Sequence, residues 1–371
     1  MRRPMRLALL LGLVLVAALA SSSPGAEGPR RLLYVASPGI RNDLAYGGHG
    51  LLVFDIDDGH RFVRRIPIGG LDDDGTPINV KGICASAETD RIYISTIKTL
   101  MCLDLKTDQL LWELPYEGGC DRMALSPDGS TIYLPSFEKE HWHVVDAMSG
   151  EVIARIVPNS GAHNTVYGLD GSFAYLAGLR SPLLTVADTS SHTVSKTVGP
   201  FAGSIRPFTV NGRQTRCYVC VNDLLGFEIG DLTTGEKLAR VEVQGFEKGP
   251  VKRHGCPSHG IGLTPDESEV WVVDATNQRV HIFDNTTFPP TQVESIAVRD
   301  EPGWITFSLD GTIAWPSTGD VIDVASRTII ARLTDEEGRP VMSEKLVEIQ
   351  FEGDEPVRAG DQFGLGRVTG E

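Results

Sequence analysis

Helical periodicity is missing from this chain. No stretch of useful length spaces apolar residues three and four apart, so a helical bundle or an α/β sheet would lack its amphipathic helices. Catalytic signatures are missing too: there is no G-x-S-x-G, H-E-x-x-H, P-loop or C-x-x-C-H. Hydrolase, protease, nucleotide-binding and c-type haem readings thereby lose their usual sequence support. Beyond the first twenty residues no apolar run is long enough to span a bilayer. Positive charge is in deficit, with 34 Lys and Arg against 49 Asp and Glu and a net charge of −15. Phosphate repels such a surface, which argues against nucleic acid and anionic lipid as partners. Only six cysteines occur, Cys84, Cys102, Cys120, Cys217, Cys220 and Cys256. Cys217 and Cys220 lie three apart in one strand pattern and point to opposite faces, so buried free thiols are expected over a closed pair.

The N-terminus is distinctive. Arg2, Arg3 and Arg6 precede the apolar run Leu7–Leu19, and Ala18-Leu19-Ala20 gives way to three serines. A basic segment, an apolar core and a small-residue site make a secretory signal peptide over residues 1–20, cleaved near Ala20, and predict a secreted or periplasmic protein. No cysteine follows the apolar core, so no lipid anchor is expected. Losing the three arginines takes the net charge to −18, since every acidic residue lies beyond them. Residues 27–371 are expected to form one monomeric domain.

That domain is repetitive. An apolar run closed by aspartate recurs at Asp55, Asp104, Asp146, Asp188, Asp231, Asp284 and Asp323, at steps of 49, 42, 42, 43, 53 and 39 residues. Between these marks lie an SGE or TGE turn, a polar–apolar strand, an inner strand, an SPDG-type turn and an aromatic strand such as IYIS, IYLP, AYLA, CYVC or VWVV. Four strands in each of seven units predict an all-β, seven-bladed β-propeller of antiparallel blades. The stretches SPDGSTIYL, TPDESEVWVVD and AMSGEVIARI resemble the YVTN-type β-propeller repeat of bacterial secreted proteins. The resemblance covers almost the whole mature chain. It implies the fold, within a superfamily that also holds quinoprotein-like propellers and lactonases, and leaves the activity open.

Unit one lacks an inner strand, because little chain precedes its aromatic strand Leu32–Ala36. The run LVEIQF at 346–351 is expected to return to blade one as its innermost strand, closing the ring and placing Ser343–Lys345 at the channel mouth. Gly353–Glu371 has no counterpart in the repeat and is expected to form a cap or tail. The long connections, Ser37–Gly50, Gly69–Asn79 and Gly245–Pro257, all fall on the face that carries the inner-strand entrances. That loop-rich face is the expected binding face.

Counting twelve residues back from each second-strand aromatic gives Lys81, Asp121, His163, Arg206, His259 and Gly303, followed by Gly82, Arg122, Asn164, Pro207, Gly260 and Trp304. Lys81, Asp121, Arg122, His163, Asn164, Arg206, His259 and Trp304 are therefore the ligand-binding candidates, converging on the axis. Each also has a structural explanation, such as ion pairing around the rim or hydrogen bonding at a strand start. His254, Cys256 and His259 are the metal candidates, although RHGCPSH lacks a zinc-type spacing and no metal is expected. His141 and His143 share one strand face, where they could form a surface metal pair, but ordinary polar exposure is the expectation. No cofactor is indicated. The expected function is a binding or interaction protein that takes a small molecule, glycan or protein at the mouth. The alternative is a propeller enzyme of lactonase, hydrolase or periplasmic oxidoreductase type using the same His, Arg and Asp residues.

Overall fold

The computed structural model describes residues 28–251 and 255–370; the expected leader and His254 lie outside the described residues. The described residues contain 29 strands and no helix, arranged as seven antiparallel sheets that form a ring. Blades two to seven are four-stranded meanders. Blade three, for example, runs Ala124–Leu125, Thr131–Pro135, Trp142–Asp146 and Val152–Ile156 from the channel outward.

The recurring aspartates are turn caps. Asp55, Asp104, Asp146, Asp188, Asp231, Asp284 and Asp323 each accept a hydrogen bond from a backbone N–H two or three residues on. The caps fix the turn between third and fourth strands in every blade. The SPDG-type turns use the same device, with Asp128, Asp266 and Asp310 accepting from Ser130, Ser268 and Thr312. The second-strand aromatics Tyr34, Tyr93, Tyr133, Tyr175, Tyr218, Trp271 and Trp315 are all buried. Neighbouring blades cover both faces of each inner sheet, which is why these strands read as continuous apolar runs rather than alternating ones.

Closure follows the expectation and then exceeds it. Leu346–Glu352 pairs antiparallel with Arg30–Ser37, Val347 opposite Tyr34, so both ends of the described chain meet in blade one. It is not the innermost strand there: Glu355–Ala359 adds inside it as a fifth. From that strand the chain enters the channel. Gln362 accepts from Ile83 N and Trp304 Nε1 and donates to Met123 O; Asp361 O accepts from Thr306; Gly364 O accepts from Thr209 and Leu263; Gly366 and Arg367 donate to Val210 and Pro265. The segment expected only as a cap or tail is thus a plug bonded to blades two, three, five, six and seven. All six cysteines are free and buried, as expected.

Candidate functional site

The long connections share a face with the first-strand entrances, and a fourth, Leu333–Lys345, joins them. Its Ser343 N donates to Ser317 O and its Glu344 N to Gly39 O, which knits the crossing onto the loop after Ser37.

The register at the mouth is regular. In each blade the second-strand aromatic pairs with the residue three positions after the candidate: Tyr93 with Cys84, Tyr133 with Ala124, Tyr175 with Val166, Tyr218 with Thr209, Trp271 with Gly262 and Trp315 with Thr306. In blade one Tyr34 pairs with Val347, so Glu344 is the seventh member of the layer and Lys345 its follower. Lys81 and His163 each sit at a register break, between Val80 and Gly82 and between Ala162 and Asn164. A bulge residue is outside the ladder, and its side chain is re-aimed, here toward the channel.

Six predicted residues come together: Lys81, Asp121, Arg122, His163, Asn164 and Trp304. Asp121, fully buried, accepts from Lys81 Nζ at 3.2 Å and from His163 Nδ1 at 2.7 Å. Burial pushes its carboxyl up, but Lys81, His163 and Arg122 outweigh that and hold it at about 2. Burial pushes His163 below the ordinary imidazole value despite Asp121. A neutral ring whose Nδ1–H faces the carboxylate carries its lone pair on Nε2. Arg122 donates through Nη2 to Glu344 at 3.0 Å and through Nε to Lys81 O at 3.2 Å, and its guanidinium lies 3.4 Å from the Trp304 ring centroid. Lys345 Nζ donates to Gly39 O and Glu344, and burial pulls its ammonium down to about 7. Arg122 Nη1 and both amide atoms of Asn164 are buried with no protein partner, and Arg122 bridges Asn164 through the backbone. Trp304 donates to Gln362 O, so the plug forms the floor of this layer.

The other candidates diverge. Arg206 Nε donates to Asn222 of its own blade at 2.7 Å, and its strand breaks register over both Arg206 and Pro207. His259 Nδ1 donates to Gly303 O at 3.2 Å. Cys256 donates to Ser258 O and Val221 O, and among the described residues no group of three or more His, Cys, Asp or Glu side chains could hold a metal. Gly260, the follower of His259, is there for close approach: a Cβ would stand 2.7 Å from Trp304 Cα. Gly260→Ala is expected to destabilise by about 1–3 kcal/mol through overpacking, measured by urea unfolding. An unchanged midpoint would mean that blades six and seven do not meet there.

Cavities also lie away from this layer: one of about 550 Å³ sits between the outer strands of blades five and six, beside Arg240 and Gln292, and one of about 400 Å³ lies at the short-turn end beside the plug. On the loop-rich face a cavity of about 290 Å³ is lined by Arg41, Asp43, Tyr46 and Thr318.

The ring, its closure and its charged mouth define a seven-bladed β-propeller. No protein-family model matches the chain, and no curated protein matches it in sequence.

Proposed function

We propose that this is an exported propeller of the YVTN type whose loop-rich mouth binds an anionic group of its ligand. The observation that carries the reading is the buried, unpartnered donor set of Arg122 Nη1 and the Asn164 amide, beside Lys81 and His163. Buried donors without a protein partner favour an acceptor from outside. Lys81 and Arg122 balance Asp121 and Glu344, and Lys345, with its ammonium pulled down to about 7, adds partial positive charge in a chain whose net charge is −15. Such a concentration steers and holds a carboxylate or sulfate.

The test is a thermal-shift panel of acidic and neutral oligosaccharides and peptides at low and moderate salt. Acidic members should raise Tm, the more so at low salt, and Asn164→Leu, which removes only an unpartnered amide, should erase the shift while leaving the ligand-free Tm within a few degrees. Equal response to neutral members would reject the reading.

The Asp121–His163 pair favours an enzyme as the second reading. Asp121 orients the imidazole, and the lone pair on Nε2 suits a general base, for instance in opening a lactone. Turnover of any ester on the panel, lost in His163→Gln with binding retained, would move the assignment to this alternative.

A further inference from the structure

The pair His141 and His143, expected to be exposed, is buried: His141 is 9% and His143 1% exposed. The strand pattern does not reveal the cover, which comes from the crossing out of blade two. There Glu117 is followed by Gly118 and Gly119, both left-handed with φ of 81° and 77°. Gly118 also needs its missing side chain, since a Cβ there would lie 3.3 Å from Ser136 Cβ and 3.4 Å from His141 Cε1. The turn aims the Glu117 carbonyl at both imidazoles.

Three atoms then form a closed triangle. His141 Nε2 is 3.2 Å from His143 Nε2, and Glu117 O lies 3.3 Å from the first and 3.0 Å from the second. No placement of protons satisfies all three edges. A proton on one nitrogen leaves the lone pair of the other facing the carbonyl oxygen, and a proton on each sets two N–H groups against one another. A cation at the centre satisfies all three. With metal–nitrogen bonds of about 2.0–2.1 Å, an N···N edge of 3.2 Å subtends an angle of about 100°, near the tetrahedral value. His143 Nδ1 is buried without a partner, so the ring is seated by packing, with the Tyr116 ring centroid 5.5 Å away. The Glu117 carboxylate, held by Arg155, adds negative charge at the rim.

We propose that His141 Nε2, His143 Nε2 and the Glu117 carbonyl form a site for a borderline divalent cation such as Zn²⁺ or Cu²⁺, with a fourth position left to water or an outside ligand. Imidazole with one oxygen suits these ions over Mg²⁺ or Ca²⁺. The site lies on the loop-rich face in the crossing that leads to Asp121, and it stands independently of the ligand at the mouth.

The test is calorimetric titration of the chelator-treated full chain with Zn²⁺. One ion per chain is expected, weakened by about tenfold or more in both His141→Asn and His143→Asn and unchanged in the control His49→Asn. Failure of the wild type to bind, or equal binding by both variants, overturns the site. Should the variants fail to fold, electron paramagnetic resonance of the wild type loaded with one equivalent of Cu²⁺ decides alone. Coupling to two imidazole nitrogens supports the site, and coupling to any other number overturns it.

Discussion

Ending the chain after Leu333 is expected to abolish cooperative unfolding. The deletion removes Leu346–Glu352, whose Leu346, Val347, Ile349 and Phe351 are buried against Tyr34 and its neighbours. At about 1.5–3 kcal/mol for each buried apolar side chain, the strand contributes roughly 6–12 kcal/mol, comparable with the whole stability of an ordinary domain. It also takes the plug, and so leaves Trp304 Nε1 and Leu263 N without their acceptors. Blade one would keep three strands with an open inner edge, a ready site for association. Urea unfolding followed by tryptophan fluorescence should show a broad, early transition, and light scattering should show association. A sharp transition at the wild-type midpoint would mean that the ring stands without its closing strand.

The second large effect is expected at Asp121. Replacing it with alanine leaves the half-buried Lys81 without its counter-charge and His163 without its acceptor, and should destabilise by about 1–3 kcal/mol. The acid limb gives an independent check. Asp121 is held at about 2 against an ordinary 3.8. A depressed carboxyl contributes stability that is complete above the unfolded value and lost as pH falls through the folded one. The window therefore runs from about pH 4 to about pH 2, and the shift corresponds to roughly 2 kcal/mol. The stability gap between wild type and Asp121→Asn should be constant from pH 7 to pH 5 and close by about that amount toward pH 2. A gap that does not narrow would mean that the carboxylate is not held by Lys81 and His163.

Most of the architecture was legible because it rests on local chemistry. The period-marking aspartates are turn caps, and the aromatic strands are the buried second strands, so both signals have causes confined to a few neighbouring residues. Lys81, Asp121, His163 and Arg122 were legible for a related reason, since a constant offset from each aromatic fixes the depth of its partner strand. Glu344 and Lys345 were legible only through the closing strand, which put Ser343–Lys345 at the mouth, and not through the offset, although the offset holds for them. Blade one takes its first strand from the far end of the chain, and counting back from Tyr34 runs off the repeat. At Arg206 two residues, not one, lie outside the ladder, and its guanidinium pairs with Asn222, a contact the offset does not foretell. The plug was invisible because its bonds run to five blades and leave no period. His141 and His143 were read as exposed because strand alternation says nothing about a crossing folded over the strand.

The plug also orders assembly. Blades two to seven are each built from neighbouring stretches of chain and can form by local contacts. Blade one joins residues 30–37 to residues 346–352, and the segment from 361 to 367 then bonds to strands already in the ring. Contacts of such sequence separation form late and slowly. The charged mouth is likewise incomplete until Glu344 reaches Arg122, so a half-made ring carries neither its floor nor its site. A chain interrupted anywhere before the closing strand therefore lacks both the floor of this layer and two of its charged members.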